Sequence, residues 1–87
     1  MGGTRKRTPM SVEERATVQI LREKRIEAGI SQIEVGRRTD MTRGRLAKIE
    51  SGCAPLSVTD LFLLCRFYVL DPAVIVGAAT MRAEELR

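Results

Sequence analysis

Apolar residues recur at helical spacing in five blocks of the chain, and the breaks between blocks carry Gly, Pro, Ser, Thr and Asp, the residues that cap and end helices. The pattern predicts an all-α domain of five helices. Ser11, with Glu14 three residues on, has the form of a capping box and opens the first helix, which runs to about Ala28 and stops at Gly29. Its inward stripe reads Thr17, Leu21, Arg25 and Ala28, with Ile20 alongside. Arg25 is the anomaly in that stripe. A half-buried guanidinium without a partner costs several kcal/mol, so a carboxylate elsewhere must meet it.

Ser31, again followed three residues on by a glutamate, opens a brief second helix over about 31–38. Gly36 lies one turn from Ile33 on the same side, which makes sense where another helix crosses closely. "TDMT" forms a turn with Thr42 as the next N-cap, and the third helix, about 42–51, ends at Gly52. "CAPL" is a connector. Ser57 and Asp60 start a fourth helix to about Tyr68, and Asp71 with Pro72 starts a fifth. Residues 11–80 are thus one domain. Residues 81–87 are a tail or a prolongation of the fifth helix, and residues 1–10, with Arg5, Lys6 and Arg7, are expected to be a flexible basic arm.

The third helix carries an inconsistency of its own. At about 100° per residue, Thr42, Leu46 and Ile49 share the face expected to be buried. The opposite face carries Gly44, Ala47, Lys48 and Ser51, flanked by Arg43 and Arg45. Glycine inside a helix costs roughly 1 kcal/mol against alanine, and an ordinary solvated face would not select it at position 44. A surface that is small along its middle and cationic at its edges fits a narrow space between two rows of phosphates. The DNA major groove, about 12 Å wide, is such a space.

Charge points the same way. The formal net charge is +4, and residues 1–52 hold twelve Lys/Arg against seven Asp/Glu, whereas residues 53–87 hold three against four. A basic half on a small domain is the usual footprint of phosphate binding.

Other chemistries are poorly served. There is no histidine, and the two cysteines, Cys53 and Cys65, do not make a structural zinc pattern; they read as small buried hydrophobes in a reducing compartment. No metal site, cofactor, catalytic constellation, phosphate loop or small-molecule ligand is indicated, and an enzyme is not expected. "MGGTRKRTPM" lacks the apolar stretch of a signal peptide, and the run "LFLLCRFYVL" is interrupted by Arg66 and too short to span a bilayer. A soluble cytoplasmic protein is expected.

The residues also carry a resemblance. "GISQIEVGRRTDMTRGRLAKIESG" resembles the helix-turn-helix of the lambda-repressor and Cro-like family, also called the XRE family, and the similarity extends over roughly residues 17 to 77. It implies a five-helix lambda-repressor-like DNA-binding domain, usually dimeric, with the third helix in the major groove. By that resemblance Arg43, Gly44 and Lys48 match base-reading positions. Gln32, Thr42 and Arg45, together with Arg37, are expected on the phosphate backbone. Arg25 matches an arginine that pairs with a glutamate at Glu50. Three departures from the family pattern stand out: Thr39 where an aliphatic residue is usual, Asp40 where the turn usually has glycine, and Val69 where glycine often follows the fourth helix. Asp tolerates a left-handed conformation, whereas Thr39 predicts a looser end to the second helix, and with Val69 the resemblance does not fix the angle of the fifth helix or the dimer geometry.

On the fourth helix Val58, Leu61, Leu64, Cys65 and Tyr68 face one core, while Leu63 and Phe67 point the other way. A helix apolar on both sides is buried on both, either beneath the fifth helix or across a symmetric dimer that would include Val74 and Val76. The function expected is a sequence-specific transcriptional regulator of double-stranded DNA, bound as a homodimer to a palindromic operator. The competing expectation is an antitoxin-like interaction module gripping a protein partner through the fourth and fifth helices.

Overall fold

A computed structural model of the chain describes residues 10–87. Five helices follow in order: α1 (Val12–Glu27), α2 (Gln32–Arg38), α3 (Arg43–Glu50), α4 (Val58–Tyr68) and α5 (Pro72–Leu86). No strand occurs among the described residues. The N-caps are Ser11, Ser31, Thr42, Ser57 and Asp71, each accepting a backbone N–H from the first turn it opens. That side-chain oxygen satisfies one of the donors that a helix start leaves without a partner, typically worth about 1 kcal/mol.

Only at α4 is the capping box complete, with the Asp60 carboxylate accepting the Ser57 N–H. At α1 the Glu14 carboxylate instead accepts the N–H of Leu56 at 2.8 Å and so fastens the α3–α4 connector to the first helix. At α2 the Glu34 carboxylate is taken by Arg37 and Arg38.

The core is formed by Ala16, Val18, Ile20 and Leu21 of α1, Val35 of α2, Met41 of the turn, Leu46 and Ile49 of α3, Leu64 and Cys65 of α4, and Ile75, Ala79 and Ala83 of α5. The inward face of α1 is broader than the expected stripe, because Ala16 and Val18 are also buried while Ala28, at the C-cap, is exposed. Neighbours on several sides explain the width: α1 packs along α5 and also against α3 and α4.

Val58 and Cys53 are exposed, against the expectation that both join the core; Val58 sits on the outer side of the first turn of α4, and Cys53 lies in the connector. Thr42 is likewise exposed, since an N-cap stands at the helix entrance rather than on its inner stripe. Leu63 and Phe67 are half-buried against the chain's own core, with the Arg38 guanidinium 5.5 Å from the Phe67 ring centre.

The two turns flanking the motif are built differently. After α1, Gly29 takes φ 71°, and Ile30 donates back to the Arg25 carbonyl at 3.1 Å, a glycine-dependent helix stop. After α2 no residue is left-handed. Thr39 closes the helix itself: its hydroxyl donates to the Val35 carbonyl at 2.7 Å and accepts the Met41 N–H at 3.1 Å. The expectation of a loose helix end at Thr39 is therefore corrected, and Asp40 does not take up the left-handed conformation that Asp tolerates.

Val69 adopts the left-handed conformation, φ 59° and ψ 52°, that glycine would take without strain. Such a conformation costs an L-residue roughly 1–2 kcal/mol. The chain turns there by 113° into α5. The fifth helix continues through Leu86, so residues 81–86 prolong it rather than forming a tail, and Ala83 is fully buried. Arg82 clamps it to Glu23 of α1 at 2.7 and 3.0 Å, and Arg87 pairs with Glu13. No single helix among the described residues is long and apolar enough to cross a membrane; α4 and α5 pass that test only as a bent pair.

Candidate nucleic-acid interface

The orientation of α3 is set from inside. Leu46 and Ile49 are each 1% exposed, and burying two such side chains is worth about 1.5–3 kcal/mol apiece. Rotation of the helix would forfeit that. Arg43, Gly44, Arg45, Lys48 and Ser51 are consequently outside, and Ala47 is partly covered. A Cβ built on Gly44 meets nothing within 4 Å. The glycine therefore has no intramolecular steric cause, and its position near the helix start leaves a flat place on the outer face.

Gly36 differs. A Cβ there would stand 3.0 Å from the Arg43 nitrogen and 3.2 Å from the Met41 carbonyl oxygen. The close approach expected at Gly36 exists, but it is made by the backbone of the α2–α3 turn and the first residue of α3 rather than by a crossing helix.

The C-terminal end of α3 is held by a buried hub. Arg25 donates from Nε and Nη2 to the two oxygens of Glu50 at 2.8 and 2.9 Å, and from Nη1 to the Ile30 carbonyl at 2.8 Å. Their side chains are only 11% and 6% exposed. Gln32 adds a hydrogen bond to Glu50 at 2.9 Å, and Arg22 lies 3.8 Å from the same carboxylate. One glutamate thereby joins α1, the first turn, the start of α2 and the end of α3. Hydrogen bonding to Glu50 raises the Arg25 pKa. Burial, with the Glu50 charge secondary, pushes the Tyr68 phenol up to about 12.

A second arginine–carboxylate pair holds the N-terminal end. Arg45 donates from Nη1 and Nη2 to the two Asp60 oxygens, both at 2.7 Å. The Arg45 hydrogen bonds, aided by the Ser57 cap, bring the Asp60 pKa down to about 2. The pair ties α3 to the first turn of α4. Sequence reasoning saw Asp60 only as a capping residue, because nothing in the pattern links positions fifteen apart on two helices.

Placement of the remaining expected contacts is uneven. Arg43 and Lys48 project from α3 as exposed cations, and Arg37 is exposed on α2 in an ion pair with Glu34 at 3.2 Å. Gln32 is partly buried and committed to Glu50. Arg5, Lys6 and Arg7 lie outside the described residues. A cleft lined by Gln19, Arg22, Glu23, Gln32, Ala47, Glu50 and Ser51 lies between α1 and α3, and Arg25, Ser31, Gln32, Ile33 and Arg43 line another. Among the described residues no cluster of His, Cys, Asp or Glu could hold a metal ion.

The arrangement is a short helix presented edge-on, riveted at both ends, with cations on its free face and the start of α2 beside it. A family model described as helix-turn-helix, HTH_3, matches residues 21–75, from the middle of α1 into the first turn of α5. No curated protein and no solved structure matches the chain. The family match covers more than half of the 87 residues and contains the two-helix unit, both ion pairs and the glycine-bearing α3. The chain belongs to the lambda-repressor-like, or XRE-type, helix-turn-helix family of DNA-binding regulators.

Proposed function

We propose that the protein is a sequence-specific transcriptional regulator that seats α3 in the major groove and acts by occupying an operator. The observation that carries this is the outer face of α3, where open Gly44 lies between exposed Arg43 and Lys48 while Leu46 and Ile49 lock the opposite face in the core. Arg43 and Lys48 are long enough to reach base edges from that face, and Gly44 permits the helix backbone to approach the groove floor. Thr42, Arg45, Arg37 and Gln32, the last through the amide that also bonds Glu50, are assigned to the phosphate backbone, which fixes register, and the basic residues Arg5, Lys6 and Arg7 to phosphate or minor-groove contacts.

A homodimer on a palindrome is part of the same proposal. Of the four dimer residues, Val74 and Val76 are the available pair, the former 64% exposed; Leu63 and Phe67 are partly spent on the chain's own core. A two-fold pair would set two α3 helices about 34 Å apart, one helical turn of DNA. The setting proposed is the cytoplasm, at the nucleoid.

Selection of bound duplexes from a random pool tests site, symmetry and spacing at once. A palindrome with half-sites about one turn apart is expected; absence of any enrichment overturns the proposal. Lys48→Ala or Arg43→Ala should each cost roughly 1–3 kcal/mol on the selected site and far less on random duplex. Exposed Val74 and Met81 also favour a second reading, an antitoxin-like module that binds a protein through α5. Under that reading, substitutions on α5 abolish partner capture and leave monomeric DNA affinity unchanged.

A further inference from the structure

The geometry points to Asp60 as a positioning residue for DNA binding: it holds Arg45 by one edge so that the other edge of the guanidinium meets a backbone phosphate. This rests on the proposed seating of α3 against DNA and adds to it a residue on α4 that itself touches no nucleic acid.

A guanidinium has five N–H groups in a planar fork. Arg45 uses its terminal edge on Asp60, one hydrogen bond from each Nη, both at 2.7 Å. Its Nε–H and the outward N–H of the neighbouring Nη remain as a parallel pair, the spacing at which arginine takes two oxygens of a phosphate. Exposure divides in the same way: the Arg45 side chain is 45% exposed, the Asp60 side chain 7%. The carboxylate is the anchored partner and the arginine the presented one.

Asp60 is itself held in place. Its Oδ2 accepts the Ser57 N–H at 3.1 Å, and its own N–H donates to the Ser57 hydroxyl at 3.0 Å. At the other end of the side chain, the Arg45 N–H is bound by the Thr42 hydroxyl at 3.1 Å. Root and tip of Arg45 are thus both fixed, one by the α3 cap and the other through the α4 cap. A long side chain fixed in this way loses little rotamer freedom on meeting a phosphate. Arg45 also lies one turn before exposed Lys48 on α3, so the pair continues the cationic flank of that helix.

Asp60→Asn separates this from a simple charge effect. Asn retains an acceptor for the Ser57 N–H but turns an NH2 group, a donor, toward Arg45. The substitution also raises the formal net charge from +4 by one unit, which by charge alone strengthens DNA binding. The experiment is a salt titration of affinity for the selected duplex and for random-sequence duplex, with the full chain. For Asp60→Asn we expect about tenfold weaker binding to both duplexes and a log–log salt slope smaller by about 0.9, the value of one lost phosphate contact. Arg45→Lys, whose point charge cannot serve carboxylate and phosphate with two edges, is expected to lose the same slope, and its half-exposed position makes it the deciding variant should Asp60→Asn fail to fold. Equal or tighter binding by Asp60→Asn, a parental salt slope in a folded weaker variant, or parental binding by Arg45→Lys overturns the assignment. Failure of the parent chain to bind any duplex would instead overturn the proposed function itself.

Discussion

Gly36 and Gly44 are two glycines inside helices of one helix-turn-helix, eight positions apart, and they are there for opposite reasons. At Gly36 a methyl group would meet backbone atoms at 3.0 and 3.2 Å. The turn between α2 and α3 is packed onto that position, so the loss of helix propensity is offset by the close approach it permits. At Gly44 a methyl group would meet nothing. Here the propensity loss has no return inside the folded chain. Where a residue weakens the fold without serving it, its role lies in something the fold must meet, which on α3 is the proposed groove floor.

The sharpest way to break that contrast is to fill Gly36. Gly36→Val places branched carbons against the Arg43 nitrogen and Met41 carbonyl, neither of which can swing aside as a flexible side chain would. We expect a loss of about 3 kcal/mol or more in urea denaturation, a large share of the 5–15 kcal/mol typical of a small domain. Gly36→Ala should lose less, about 1–2 kcal/mol, because the better helix propensity of alanine partly compensates. An unchanged midpoint for both would show that the turn is not packed on this glycine.

Gly44→Leu inverts the outcome. The position is open, so the denaturation midpoint should stay close to the parent's, while affinity for the selected duplex falls about a hundredfold, near 2.7 kcal/mol. Normal binding by this variant would remove α3 from the groove floor.

That contrast was only partly legible in the sequence. Helix order and caps were legible because Ser, Thr and Asp at helix starts act locally, through hydrogen bonds within three residues. Gly44 was legible as an anomaly for the same reason, since its propensity cost is a property of one position. Arg25 announced that it needed a partner because burial of a charge has one remedy, and the family resemblance supplied Glu50. Asp60 made no such announcement: a residue that already completes a cap gives no sign of a second duty to an arginine on another helix. Thr39 misled for a related reason. A hydroxyl that bridges the Val35 carbonyl and the Met41 N–H can do what the glycine of a left-handed turn does elsewhere, and side-chain geometry of that kind is invisible to pattern.

Acid sharpens the comparison by loosening the helix that bears Gly44 without touching either glycine. The Asp60 pKa is about 2, below the ordinary carboxylate value of 3.8. A carboxylate with a depressed folded pKa contributes stability that is present above the unfolded value and lost as pH falls through the folded one. The contribution should therefore fade between about pH 4 and pH 2, and screening through half-exposed Arg45 limits it to about 1–2 kcal/mol. Denaturation midpoints of the parent and Asp60→Asn should converge across that window. A constant gap between them down to pH 2 would show that the ion pair adds nothing to the hold on α3.

Val69 supplies the reverse case, a left-handed turn occupied by a β-branched residue rather than glycine, at φ 59° and 89% exposed. Its side chain is nearly free of the fold while its backbone is strained. Val69→Gly should relieve about 1 kcal/mol, part of the strain being returned as greater entropy of the unfolded chain. A thermal melt raised by a few degrees is the expected outcome. No gain would mean that neighbouring atoms already accommodate the strain.

The smallest change tests the cost on which the comparison rests. Gly44→Ala adds one methyl group to open space at the second residue of α3, so nothing opposes the gain in helix propensity. That gain is about 1 kcal/mol in a helix interior and less near the start, where the first N–H groups have no intrahelical acceptor. An increase of about 0.5 kcal/mol is expected from denaturation. Measured on the same preparation, affinity for the selected duplex should fall, and the fall for alanine should be well short of that for leucine, because one methyl intrudes less on the groove than four carbons. A variant more stable than the parent yet weaker on DNA would assign the glycine to binding rather than folding. Equal gains in stability and affinity would leave Gly44 without a role in either.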